Sequence, residues 1–224
     1  MIALVHAALA ATACLASPAA ALPGHPVVVA VVAYPSAATS AVPDTTYRRL
    51  FEGGATMEAF LGAAKARKEQ WAANYARGAV ADAVLARARS APGPWKLLVV
   101  AVDGCSDSVN TVPYIARLAE QVMGVELRIV DNIVGRAVMD AHRTPDGRGA
   151  TPTVILLDAN YQERGCFIER PAELRDWILG SKGNKADKEI FDHKMSWYDE
   201  DKGTKTVSEI AEMIEAAGKG EVKC

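Results

Sequence analysis

Cysteines stand at positions 14, 105, 166 and 224, and one of them is placed where a sulfur can react. Val99-Val100-Ala101-Val102 is an apolar run that reads as a buried strand, Asp103-Gly104 interrupts it, and Cys105-Ser106-Asp107-Ser108 opens a helical pattern. A cysteine at such a junction has a fixed backbone behind it. The first turn of the helix aims unpaired N–H groups and the positive end of its dipole at the sulfur, which favours the thiolate. Ser108, three residues on, faces the same way, so its hydroxyl and amide can both donate to a sulfur anion. Asp103 and Asp107 work against this, because a negative charge disfavours another beside it. The chemistry this pattern predicts is thiol–disulfide exchange, in which an exposed thiolate attacks a disulfide sulfur.

Competing chemistries fare worse. No Cys-X-X-Cys pair occurs, so neither a zinc ribbon nor a local dithiol pair can be built. Gly104-Cys105-Ser106-Asp107-Ser108 is one residue away from the Gly-X-Ser-X-Gly nucleophile elbow of serine hydrolases, but the final glycine is missing and the later strands are too few for a hydrolase sheet. His142 and His193 are isolated, and there is neither a His-Glu-X-X-His helix nor a phosphate loop, so no metal and no cofactor is expected. A formal net charge of −2 gives no reason to expect a nucleic-acid partner.

The elements around Cys105 follow from periodicity and breakers. Asp44-Thr45-Thr46 caps a short helix that Gly53-Gly54 ends, and a longer helix is predicted from about Thr56 to Arg77, with Met57, Phe60, Leu61, Ala64, Trp71 and Tyr75 on its apolar stripe. Ala81 to Arg89 is a further helix, stopped by Ala91-Pro92-Gly93-Pro94. The strand that leads to Cys105 starts at Trp95 or Lys96. Beyond the Cys105 helix the pattern predicts a strand over 125–130, a helix over 134–142, strands over 153–157 and 162–168, and a helix over 171–179. Thr206-Val207-Ser208-Glu209 reads as a capping box for a last helix, and the balanced Lys and Asp/Glu alternation from 182 to 205 reads as a solvated face.

Pro113 lies eight residues after Cys105, inside its helix, and Pro152 lies 47 residues after it, at the start of the Thr153–Leu157 run. Cys105, Pro113 and Thr151-Pro152 together resemble the thioredoxin superfamily, and Arg170-Pro171-Ala172-Glu173-Leu174 is similar to a segment of a bacterial branch carrying Trp-Cys-Gly-Asp-Ser or a close variant. The resemblance covers roughly residues 44 to 215. It implies an α/β fold, a thioredoxin-like three-layer sandwich with extra N-terminal and C-terminal helices. The divisions are a helical extension over 44–94, a core over 95–180 and a second extension over 181–224. It further implies Cys105 and Ser108 as catalytic residues of a monothiol Cys-X-X-Ser site, and Gly104, Ser106, Asp107, Thr151 and a cis Pro152 as the substrate-binding surface. Ser108 stands where dithiol relatives keep the resolving cysteine, Val99 where they keep a buried Asp, and Gly104 where the family has tryptophan.

Residues 1–21 carry no Lys, Arg, Asp or Glu, and an apolar run leads to Ala19-Ala20-Ala21, so a secretory signal cut after Ala21 is expected, followed by a linker over 22–43. An uncleaved anchor and lipid attachment at Cys14 are the rival readings. The expectation is therefore an exported, periplasmic or secreted exchange protein, acting on a disulfide-containing protein or small thiol. An external thiol reductant or a membrane-associated redox partner would regenerate it. Cys166 and Cys224 are candidates for a second thiol: the strand order implied by the resemblance sets Cys166 beside the Pro152 strand, and Cys224 sits on a tail expected to be mobile. The alternative is a redox-inactive module of the same fold that binds extended peptides.

Overall fold

The computed structural model describes residues 42–224; the expected signal segment, Cys14 and all but the end of the expected linker lie outside the described residues. Strands β1 (Trp95–Val100), β2 (Val125–Val130), β3 (Thr153–Leu157) and β4 (Glu163–Ile168) form one sheet in the order β2-β1-β3-β4. β2 runs parallel to β1, while β3 is antiparallel to both β1 and β4.

Strand alternation assigns the two faces. Leu97, Val99, Val154, Leu156 and Phe167 point to one side, where they pack with residues of α5 (Ser106–Gln121) and α9 (Thr204–Gly218), and α3 (Lys68–Arg77) and α4 (Asp82–Arg89) add Trp71, Leu85 and Ala88 to that core. Leu98, Val100, Ile155, Leu157 and Cys166 point to the other, against α1 (Asp44–Gly53) and α6 (Arg136–Ala141). Both faces of the sheet are covered, which is why β1 and β3 read as continuous apolar runs. The result is the α/β three-layer arrangement, with extra helices, that the resemblance implies. A satellite core of Leu174, Ile178 and Tyr198 joins α7 (Ala172–Ser181) to α8 (Asp187–Asp201).

Pro113 imposes a debt on α5. It has no N–H, so the carbonyl of Val109, four residues earlier, loses its helical partner inside a buried segment. Asn74 of α3, itself fully buried, donates its Nδ2 to that carbonyl at 2.6 Å and to Asn110 Oδ1 at 3.2 Å. Arg77 in turn donates to Asn74 Oδ1.

Two expectations are corrected. The single helix over 56–77 is two, α2 (Met57–Ala63) and α3, separated by a turn in which Arg67 takes the left-handed region at φ 52°. The break is imposed by tertiary contacts rather than by a Gly or Pro, since it frees the amides of Lys65 and Ala66 to bond Asp103. Nor does the capping box form. α9 starts at Thr204 after Gly203, Thr206 lies within it with a hydroxyl that has no partner among the described residues, and Glu209 caps α7 instead, accepting from Ala172 N at 2.8 Å.

On the α1/α6 side, Glu163 accepts from Tyr47 Oη at 2.6 Å and faces His142 Nε2 at 2.8 Å, while His142 Nδ1 bonds the Val138 carbonyl at 2.9 Å. Burial pulls the imidazole pKa down, but Glu163's hydrogen bond and charge outweigh it and leave the pKa raised. Burial likewise pushes Glu163 up, and its bonds to His142 and Tyr47 carry it below the ordinary value.

Two outcomes follow from these contacts. Asn74→Ala should cost about 1–3 kcal/mol in urea denaturation, the penalty of an orphaned buried carbonyl, and the cost should shrink in a Pro113→Ala background, where residue 113 regains its N–H; equal costs in both backgrounds would disprove the link. For His142, a raised folded pKa contributes stability that is fully present below the unfolded pKa and is lost as pH rises through the folded one. His142→Gln should therefore flatten the fall in stability as pH rises from the ordinary imidazole pKa upward, measured as denaturation midpoints across pH.

Candidate active site

Cys105 occupies the N-cap of α5, half-buried, with extended backbone angles and its own amide bonded to the Val102 carbonyl at 3.0 Å. Its sulfur accepts from the Ser108 amide at 3.4 Å, and its S–H donates to the Thr151 carbonyl at 3.1 Å. The Thr151–Pro152 peptide bond is cis. The Pro152 carbonyl is tied to the amide of Glu169 at 2.7 Å, so the exit from β4 holds the segment that faces the sulfur. Cys105, Ser108, Thr151 and Pro152 are thus gathered at one end of the sheet.

The loop before Cys105 is clamped from the N-terminal side. Asp103 Oδ2 accepts from the Lys65 and Ala66 amides at 2.8 and 2.9 Å, and Trp71 Nε1 donates to the Asp103 carbonyl at 2.8 Å. Those two amides hold the Asp103 carboxyl below its ordinary pKa. Arg67 Nε donates to the Gly104 carbonyl at 3.0 Å, placing a guanidinium one residue from Cys105. Gly104 itself is exposed, and a Cβ there would meet only Ala66 Cβ at 3.7 Å, so position 104 has room for a side chain and carries none.

From the C-terminal side comes a buried charge cluster. Asp107 is 5 % exposed and turns inward: Tyr198 Oη donates to Oδ1 at 2.8 Å, Lys194 Nζ to Oδ2 at 3.0 Å and Arg170 Nη2 to Oδ2 at 3.3 Å. Arg170 Nε stands 3.3 Å from Oδ1 as a charge contact without hydrogen-bond geometry. Lys194 also donates to Ser106 Oγ at 2.8 Å. Burial pushes the Tyr198 phenol far up, and the Asp107 charge adds to it. Ser106 is therefore bonded by α8 and Asp107 by α8 and the segment after β4, and both carboxylates flanking Cys105, those of Asp103 and Asp107, have donors of their own.

Ser108 is corrected in part. Its amide bonds the sulfur, but its hydroxyl is fully buried and has no partner among the described residues. Cys166 and Cys224 do not approach Cys105: they form a disulfide with each other, Cα to Cα 4.4 Å, on the α1/α6 side of the sheet. Cys224 is thereby tethered rather than mobile, and Cys105 is the free cysteine of the described residues. The supporting roles of Arg67, Trp71, Asn74, Lys194 and Tyr198 were not foreseen. One signal was available: Ile190, Lys194, Trp197 and Tyr198 share a helical face, so the lysine interrupts an apolar stripe and needs a buried anion.

The thioredoxin family model matches residues 54–189 of the chain. No curated protein matches. Among solved structures, a protein of unknown function from Pseudomonas aeruginosa, determined at 1.5 Å, is 22% identical with a TM-score of 0.59, over 76% of this chain and 98% of that one. An HIV epitope-scaffold is likewise 22% identical, with a TM-score of 0.57 and the same coverage. At this identity both likenesses speak to the fold alone.

Because the Ser108 hydroxyl has no partner, Ser108→Ala should leave stability unchanged or raise it by up to about 1 kcal/mol, and should leave iodoacetamide alkylation of Cys105 within about twofold of the parent rate. A tenfold slower reaction would return the hydroxyl to the sulfur and refute this geometry.

Proposed function

The chain belongs to the thioredoxin family, and on that premise we propose that it is a monothiol thiol–disulfide exchange protein with Cys105 as its nucleophile. One observation carries the reading: a half-buried cysteine at the N-cap of α5 has its sulfur between an amide donor and the Thr151 carbonyl, while the other cysteines of the described residues are paired elsewhere.

In the reaction, Cys105 gives its proton to solvent and the thiolate attacks one sulfur of a substrate disulfide. The substrate S–S bond breaks, a Cys105–substrate disulfide forms, and the second substrate sulfur leaves as a thiolate that takes up a proton. The Ser108 amide and the first turn of α5 favour the attacking anion, and the clamps on Asp103 and Asp107 keep those carboxylates occupied. Since serine cannot expel the captured substrate, release falls to an external thiol, either a small thiol or a membrane-associated redox partner. The substrate is a disulfide-containing protein or small disulfide, met outside the cytoplasm after export through the 1–21 signal.

Incubation with cystamine should leave a stable mixed disulfide at Cys105 in the parent protein, located by mass spectrometry of its peptides and discharged by added thiol. Rapid turnover without added thiol would count against a monothiol centre. An unmodified Cys105 would favour the redox-inactive reading, in which the Thr151–Pro152 edge only binds extended peptides.

A further inference from the structure

Away from Cys105, the last residues of the chain lie on the outer edge of β4. The Lys223 carbonyl accepts from the Cys166 amide at 2.8 Å, and Gly165 pairs with Lys223 as a parallel bridge. The seat is shaped for this: a Cβ on Gly165 would stand 2.7 Å from the Lys223 carbonyl oxygen and 2.6 Å from Met213 Cγ, so a side chain there would push the tail off. Beneath the tail lies a cavity of about 250 Å³, lined in part by Phe167, Ile168, Arg175 and Met213.

We propose that the Cys166–Cys224 disulfide is a second thiol–disulfide centre, open to small dithiols in the folded protein, whose reduction releases the 219–224 tail from the edge of β4. The bond has a buried and an exposed end: Cys166 is 8 % exposed and belongs to the α1/α6 core, whereas Cys224 and every residue from Lys219 onward are exposed. Disulfides reachable from solvent are the labile ones, while structural bonds are shielded. Little else holds the tail. Besides the Lys223 carbonyl it has the Lys219 and Glu221 amides on Ala216 O at 2.9 and 3.0 Å and the Gly220 amide on Ala217 O at 3.0 Å, all local turns at the end of α9, and two exposed pairs, Lys219–Glu215 at 2.8 Å and Lys223–Glu212 at 2.7 Å, worth little in water. α9 does not need the tail, since Val207, Ile210, Met213 and Ile214 anchor it in the main core.

The electrons balance against a dithiol. Its thiolate attacks Cys224 Sγ, the Cys166–Cys224 bond breaks, and Cys166 leaves as a thiolate that is protonated. The second thiol then attacks its neighbour's sulfur, releasing Cys224 and forming the oxidised dithiol. Two electrons pass to the protein, which ends with two thiols. This centre does not depend on the role proposed for Cys105.

The test uses oxidised Cys105→Ala protein, so that the pair is the sulfur chemistry in view, treated with dithiothreitol in native buffer and in guanidinium. Native reduction should yield both alkylatable thiols, raise tryptic cleavage after Lys219 about tenfold, and leave one cooperative unfolding transition. Cys224→Ser should show the raised cleavage without reductant. Reduction that requires denaturant, reduction that abolishes the cooperative transition, or a tail equally protected in the reduced protein or in Cys224→Ser would overturn the proposal. Cystamine labelling of Cys105 in a Cys166→Ser/Cys224→Ser protein reads the first centre separately, so either can fail alone.

Discussion

A buried carboxylate at the first turn of α5, the helix that Cys105 caps, is the constraint on which the C-terminal half depends. Leaving such a charge unpaired costs several kcal/mol, so Asp107 requires cations and donors brought to it from outside the core sheet. Arg170 supplies one from the end of β4, and Lys194 and Tyr198 supply the others from α8. The pairing continues outward through Glu169, which meets Arg170 at 2.5 Å and Arg148 at 3.3 Å, and then through Asp146 to Lys182. The Arg170-Pro171-Ala172-Glu173-Leu174 segment thereby gains a physical meaning: Arg170 faces the carboxylate, Leu174 is fully buried in the α7–α8 core, and Glu173 meets Lys205 at 2.7 Å. α8 docks where it does because the anion is there.

A second constraint works from the opposite side. Pro113 deprives Val109 of its partner, and Asn74 can reach that carbonyl only if α3 lies along α5. Once α3 is there, Trp71 and the turn before it fall against Asp103, and the loop leading to Cys105 is held by amides and an indole rather than by its own backbone. Helices that look like additions to a core are therefore the walls of the site.

What was legible in the sequence is what depends on local pattern. The apolar runs of β1 and β3, the breakers around Pro92-Gly93-Pro94, and a cysteine between strand and helix all express themselves within a few residues. The missed features are those in which a distant partner overrides a local preference. Nothing in Ala64-Lys65-Ala66-Arg67 forbids a helix; the turn exists because Asp103 takes two of its amides. Thr206 and Glu209 have the spacing of a cap, yet Glu209 bonds the start of another helix. Lys194 is one charge among many until a buried anion is known to face it.

The cysteines show the same limit. Cys166 pairs with Ile155 across β3 and β4, and alternation sends both to the α1/α6 face, while Phe167, one residue on, joins the α5 face. A shift of one residue would have reversed this. Cys224 reaches Cys166 because α9 returns the chain to the edge of β4, which no local motif announces. The pairing takes up the two cysteines of the described residues other than Cys105. Position 108 contributes a buried hydroxyl and Val99 a buried apolar side chain, so among the described residues neither position sets a second sulfur or a carboxylate behind Cys105. On the proposed reading, a captured substrate is held until a thiol arrives from outside, and the lifetime of the complex is set by the surrounding thiols rather than by the protein.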